Sequence, residues 1–208
     1  MRRSFVFCFP AAVLLVLSMA LIGCSPKEEA KPETGTSGDQ ATSQVAISPG
    51  TAGGITWTVP AGWKPGPKKP MRAATYIIDP AEGDTDSAEC AVFYFGPGSA
   101  GGKQANIDRW IGQFEQPDDS ASADRAAVSE AEINGLKITT IDLTGTYNAA
   151  GGPMMQVKEK KAGYRLLGAI VEGPQGLVFF KLIGSDMTVT TSEGDFLELI
   201  PSIKKQTM

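Results

Sequence analysis

The glycine-rich run at residues 96–102 (GPGSAGG) has a spacing that could bind a phosphate group. It satisfies the pattern G-x-G-x-x-G, follows a predicted strand and precedes a predicted helix, which is the setting of a dinucleotide site. The strands around it, however, are predicted to form hairpins, whereas a dinucleotide site needs a βαβ unit. We therefore interpret the run as a loop that reverses the chain between a strand and a helix, and we predict no cofactor.

A weaker hypothesis gives the same loop a smaller ligand. Backbone N–H groups at a helix start attract anions, and a lysine follows the glycines. The candidate anion-binding residues are Gly98, Gly101, Gly102 and Lys103. Gln104 stands where a P-loop needs serine or threonine, so the run does not satisfy the Walker pattern.

A second candidate surface combines an aromatic residue with a basic loop. Trp63 follows a predicted turn, and of the three tryptophans it is the best candidate for partial exposure. A proline-rich loop then carries Lys64, Lys68, Lys69 and Arg72. This surface could bind anionic lipid, a cell-wall polymer or a protein partner. Core packing of Trp63 beneath a solvated loop is the simpler interpretation.

The sequence offers no catalytic residue. It contains no histidine, which excludes Ser-His-Asp and Cys-His catalysis and the usual imidazole zinc sites. Five acidic residues between positions 79 and 89 could offer oxygen ligands to calcium, but their spacing is not that of an EF-hand loop. A solvated hairpin tip is the favoured interpretation, and we predict no metal site.

The N-terminal residues combine a basic start, an apolar stretch and a cysteine. Two arginines precede an apolar run over residues 5–22, and a glycine and Cys24 follow it, which is typical of a secretory signal peptide. Residues 21–24 (LIGC) resemble the lipobox of bacterial lipoproteins. The resemblance implies that Cys24 becomes the first residue of the mature chain and carries the lipid that anchors it to a membrane. A membrane-spanning helix is disfavoured because the run is short and Pro10 interrupts it.

The charge balance disfavours a nucleic-acid partner. The chain has 19 Lys and Arg against 23 Asp and Glu, a net charge of −4. Removal of residues 1–23 takes away two arginines and no acidic residue, so the mature chain is more acidic still. The phosphates of a nucleic acid require a basic face.

Cysteine usage predicts a domain without an internal disulfide. Of the three cysteines, Cys8 leaves with the signal peptide and Cys24 carries the lipid, so Cys90 has no partner within the chain. The apolar run around Cys90 predicts a small buried residue and not a reactive thiol.

Alternation of apolar and polar residues predicts a series of strands with turns between them. The predicted strands cover residues 55–59, 72–78, 88–95, 127–133, 136–147, 164–171 and 177–183. Asn134-Gly135 predicts a tight hairpin, since both turn positions need positive φ. Apolar residues at helical spacing predict helices over 103–115 and 188–201.

This order predicts an α+β domain with a mostly antiparallel sheet of about six or seven strands, flanked by two main helices. Segments 57–63 (WTVPAGW) and 178–184 (VFFKLIG), with the mid-chain and closing helices, resemble the PsbP-like fold. That fold is shared by the oxygen-evolving extrinsic protein of photosystem II and the Mog family of Ran-binding proteins. The resemblance covers residues 55–204 and implies membership of a mostly non-catalytic superfamily of accessory and assembly factors. No functional residue of PsbP or Mog can be matched to a position in this sequence, and fold similarity alone does not establish function.

The predicted organisation is a signal peptide at 1–23, a disordered lipid-anchored tether at 24–54 and one globular domain at 55–204. We predict an envelope protein outside the cytoplasm that binds a protein or a small ligand without catalysis. Ser25 resembles the sorting pattern for outer-membrane delivery in enteric bacteria, which favours the outer over the inner membrane. The alternative is a His-independent hydrolase or other enzyme with carboxylates near the 96–102 loop.

Overall fold

The computed structural model describes residues 49–150 and 157–207, which belong to one compact unit. The predicted signal peptide, the lipidation residue Cys24 and most of the predicted tether lie outside the described residues. None of the helices in the described ranges has the length and apolar composition of a membrane span.

The main sheet has eight strands, and every pair of neighbours in it is antiparallel. Its order is β3-β4-β5-β10-β9-β8-β6, and β7 pairs with the first half of β8. The strands are β3 Lys64–Pro65, β4 Arg72–Ile78, β5 Ala88–Tyr94, β6 Phe114–Glu115, β7 Ala127–Ile133, β8 Leu136–Ala150, β9 Val157–Gly173 and β10 Gly176–Ser185.

A second sheet of three short strands joins the two ends of the described chain. It consists of β1 Gly50–Ala52, β2 Ile55–Trp57 and β11 Lys204–Lys205, in the order β1-β2-β11. Strand β1 falls within the last residues of the predicted tether, so the folded region starts before residue 55. The predicted strand over 55–59 ends at Trp57.

Four helices accompany the sheets. They are α1 Lys103–Ile111, α2 Ser122–Arg125, α3 Asp186–Thr191 and α4 Glu193–Ser202. The predicted helix over 103–115 is shorter because the chain leaves the helix at Gly112 and then forms β6. The predicted closing helix is divided between α3 and α4, which meet at Ser192.

The core occupies both faces of the main sheet, because side chains along a strand alternate between its faces. In β10, Val178 and Phe180 contribute to one buried cluster and Phe179 to the other. The first cluster also contains apolar residues of α4 and the small sheet, and the second contains Ile107 and Trp110 of α1. The sheet therefore lies between two covering layers.

The α+β class and the mostly antiparallel sheet are confirmed, but the number of elements was underestimated. The described chain has eleven strands in two sheets and four helices. The additional strands β1, β3, β6 and β11 have only two or three residues each. Such short strands are defined by their pairing partners and are too short to show a periodicity of their own.

Cys90 is fully buried in the first cluster, as its apolar neighbours predicted. Burial raises the pKa of its thiol, and the nearby Glu89 carboxylate raises it further. The thiolate that reacts with electrophiles is therefore strongly disfavoured in the folded protein.

Candidate functional site

A pocket of about 1100 Å³ lies beside strand β4. We call it the β4 pocket. Its walls come from the start of β1, the turn after β2, strand β3, the loop at residues 66–71 and β4 itself. Small-molecule sites typically measure roughly 300–1,000 Å³, so the β4 pocket has room for a ligand of ordinary size.

The loop at 66–71 is held at both ends by backbone hydrogen bonds. Gly66 N–H donates to Thr75 O at 2.8 Å, and Arg72 N–H donates to Lys69 O at 3.3 Å. A side chain at position 66 would meet the methyl of Thr75 at 2.8 Å, so glycine lets the loop approach β4 closely. These contacts keep the basic residues of the loop at the mouth of the pocket.

Four cationic side chains line the β4 pocket, and two carboxylates bind three of them. Lys64 pairs with Asp79 at 2.5 Å, while Lys69 and Arg72 both pair with Glu89 at 2.7 Å. Burial alone would raise the pKa of Glu89, but the hydrogen bonds from Lys69 and Arg72 hold it below its usual value. The rim therefore has more positive than negative charge.

Lys68 is the cation at this rim that has no ion pair with any residue in the described ranges. Its side chain is exposed on the loop between Pro67 and Lys69. An exposed, unpaired ammonium group at the mouth of a pocket attracts anions.

Trp63 lies in the wall of the pocket but is buried, which confirms the core packing favoured from the sequence and contradicts its weaker candidacy as part of an exposed partner surface. A turn in which Trp63 N–H donates to Pro60 O at 3.0 Å places its ring in the core, where the ring centroid lies 6.0 Å from that of Tyr76. The other predicted surface residues, Lys64, Lys68 and Lys69, do line this pocket.

The indole N–H of Trp63 is buried and has no hydrogen-bond partner among the described residues. By contrast, Trp57 Nε1 donates to the hydroxyl of Tyr76 at 3.1 Å. A buried donor without a partner costs about 1–3 kcal/mol. The indole N–H of Trp63 is therefore a buried donor in the core beside the pocket, which the described residues leave without an acceptor.

Two further pockets are smaller. One of about 460 Å³ adjoins the β4 pocket, because Arg72 and Ala73 line both. The other, of about 230 Å³, lies between β7, β8 and α4. None of these three pockets is lined by a residue of the 96–102 loop.

The glycine-rich loop reverses the chain between β5 and α1, as predicted. Gly96, Gly98 and Gly101 have positive φ angles of 91°, 68° and 71°, which glycine adopts without strain. The side-chain amide of Asn106 donates to two carbonyl oxygens of the loop, Ala100 O and Gly102 O, each at 2.9 Å.

Lys103 is already bound by carboxylates, which weakens the anion-site hypothesis. Its Nζ lies 2.5 Å from Glu130 Oε1 and 3.2 Å from Glu172 Oε1. The hydrogen bond to Glu130 raises the pKa of Lys103, and the same contact lowers the pKa of Glu130. Two carboxylates therefore already bind the ammonium of Lys103, which was predicted to receive an anion together with Gly98, Gly101 and Gly102.

The acidic residues between 79 and 89 have separate partners. Asp84 accepts hydrogen bonds from Ser185 and Thr188, which lower the pKa of its carboxyl. Asp86 accepts from Tyr164 at 2.6 Å, and Asp79 and Glu89 bind the cations of the pocket rim. No group of three His, Cys, Asp or Glu side chains within the described ranges is placed to hold a metal ion.

A buried lysine outside the pocket was not predicted. Lys181 on β10 is 9 % exposed, and its Nζ donates to Gln113 Oε1 at 2.5 Å and lies 5.3 Å from the ring centroid of Tyr147. Burial lowers the pKa of Lys181 to about 7, and the positive charges of Arg109 and Arg72 add to the effect. The lone cation in the apolar run VFFKLI is the sequence signal that could have identified it.

No protein-family model matches this sequence, and no curated protein matches it. Among solved structures, cyanobacterial PsbP from Synechocystis sp. PCC 6803 is similar, with 11% identity, a TM-score of 0.43, and coverage of 74% of this chain and 87% of that chain. A protein of unknown function from Pseudomonas aeruginosa has 10% identity and a TM-score of 0.36, and the match covers 59% of this chain and 74% of that chain. A structure from Bacteroides thetaiotaomicron has 10% identity and a TM-score of 0.37, and the match covers 76% of this chain and 47% of that chain.

These likenesses are too low to support an argument about function. The PsbP-like structure is one of the three, in line with the resemblance noted in the sequence, but its TM-score of 0.43 leaves the PsbP-like assignment a prediction.

Proposed function

We propose that the chain is a lipid-anchored protein of the bacterial cell envelope whose α+β domain binds a small ligand in the β4 pocket without catalysing a reaction. The observation that carries the binding role is the pocket itself: about 1100 Å³ in volume, with an excess of cations at its rim. The absence of histidine from the chain supports a role without catalysis.

The residues that line the pocket suit binding better than chemistry. Buried Trp63 and Tyr76 and the aliphatic Val59 form part of its wall, and apolar walls with a few polar groups are typical of ligand sites. Its polar lining residues are four cations, two threonines and Tyr76, and no carboxylate lines the pocket among the described residues. The alternative, a hydrolase with carboxylates near the 96–102 loop, gains no support from these three pockets, because no residue of that loop lines any of them.

The pocket can be tested with the neutral apolar dye N-phenyl-1-naphthylamine. Ala73 is exposed on β4 and lines the pocket, so tryptophan at this position would occupy part of its volume. We expect the wild-type protein to enhance the fluorescence of the dye, and A73W to bind it at least about tenfold more weakly. The control A131W places the same side chain at an exposed position of β7 outside the pocket.

Equal binding of the dye by A73W and A131W would reject the pocket as the binding site. Absence of dye binding by the wild-type protein would reject the proposed binding function itself.

The lipid anchor is tested separately by metabolic labelling with alkynyl palmitate. We expect the wild-type chain to be labelled and to sediment with the membrane fraction, because two or three acyl chains bind a bilayer almost irreversibly. The C24A variant should be unlabelled. A wild-type chain that stays unlabelled, or that retains residues 1–23 by mass spectrometry, would contradict the proposed anchor.

A further inference from the structure

We infer that the ligand of the β4 pocket is a small amphipathic anion, whose acidic group pairs with Lys68 and whose apolar body lies against the aromatic and aliphatic wall. This inference rests on the proposed binding function and adds the chemical class of the ligand. Two features of the described residues carry it: the unpaired cation and the apolar wall.

The charge of the ligand follows from the ion pairs at the rim. Asp79 and Glu89 bind Lys64, Lys69 and Arg72, while Lys68 pairs with no residue in the described ranges. A cationic ligand would have to enter past an excess of positive charge, which disfavours it. An anion gains a partner at Lys68 without displacing an existing ion pair.

The apolar character of the rest of the ligand follows from the apolar residues in the wall of the pocket. Val59 and Tyr76 are buried at 7 % and 5 % exposure, and Ala74 and Pro65 complete an apolar surface next to Trp63. Each Å² of apolar surface that a ligand buries against this wall contributes roughly 25 cal/mol to the free energy of binding. A purely polar anion has little apolar surface to bury and would gain little from this contact.

The inference is tested with three probes of equal chain length and different head charge, below their micelle concentrations: decanoate, decanol and decyltrimethylammonium. Calorimetric titration of the full-length mature protein should show decanoate binding at least about tenfold more tightly than either other probe.

Variants of the rim lysine provide the second arm of the test. K68E should weaken decanoate binding by about tenfold or more, and K68R should restore it because the positive charge returns. The control K137E makes the same charge change at an exposed position of β8 outside the pocket and should leave binding unchanged.

Equal binding of the three probes or unchanged affinity of K68E would overturn the inference. Binding to phosphatidylglycerol vesicles without binding to decanoate would also overturn it, because the occupant would then be a membrane surface. If the wild-type protein binds the three probes equally and A73W does not bind them, the pocket is the binding site and only the anionic class of the ligand is rejected. If the wild-type protein also fails to bind the neutral dye, the proposed function fails too.

Discussion

Substitution of Lys181 by methionine is expected to raise the free energy of unfolding by about 2–4 kcal/mol at pH 6. Lys181 is 9 % exposed on β10, and within the described ranges no carboxylate pairs with its ammonium group. Its one hydrogen-bond partner is the neutral side chain of Gln113. Methionine would fill a similar volume without a charge, and the loss of the Gln113 contact offsets only about 1 kcal/mol of the gain.

The same substitution should change how stability depends on pH. Lys181 has a pKa of about 7 in the folded protein, against its ordinary value of 10.5. Between these values the unfolded chain binds a proton that the folded chain has released, so the wild-type protein becomes more stable as pH rises. The slope is up to about 1.4 kcal/mol per pH unit, and the advantage of K181M should shrink steadily from pH 7 to pH 10.

Urea unfolding followed by circular dichroism at pH 6, 7.5 and 9 measures both effects. The control K137M removes an exposed lysine and should change stability by less than about 0.5 kcal/mol at each pH. If K181M destabilises the protein by a similar amount at all three pH values, the expectation is contradicted. That result would show that Gln113 and Tyr147 stabilise the charged ammonium group in the folded protein and that burial does not lower its pKa.

The strands that the sequence predicted best are those with local alternation. The predictions for 72–78 and 127–133 coincide with β4 and β7. The hairpin predicted at Asn134-Gly135 is confirmed, since these residues have φ angles of 53° and 69° between β7 and β8. In each case the signal lies within a few consecutive residues, which is the range over which periodicity and turn chemistry act.

The candidate site was predicted only in part, because a pocket depends on residues far apart in the chain. The basic loop was recognised from its composition, and its lysines do line the β4 pocket. Pro49, Gly50 and Tyr76, which complete the wall, carry no signal of their own. The sequence left both core packing and partial exposure open for Trp63, because burial of an aromatic ring after a turn is decided by tertiary packing, here against Tyr76.

Substitution of Gly168 by alanine is expected to destabilise the domain by about 2 kcal/mol, because it adds a methyl group where helix α1 approaches the sheet most closely. A Cβ atom on Gly168 would lie 2.6 Å from Cζ3 and 3.0 Å from Cε3 of Trp110, closer than packed carbon atoms allow. Trp110 is 5 % exposed and also packs edge-on against Phe179 at a centroid distance of 6.1 Å. The ring therefore cannot move without disturbing the second core cluster.

A double-mutant cycle with W110F isolates this contact, because phenylalanine lacks the part of the indole that the new methyl would strike. The cost of G168A in the W110F background should fall by about 1 kcal/mol or more. The control G194A adds the same methyl group in helix α4, where no atom lies within 4 Å of the new Cβ position. It should stabilise the protein by about 0.5–1 kcal/mol through helix propensity. Equal effects of G168A in both backgrounds would show that the close approach of Trp110 does not limit the residue at 168.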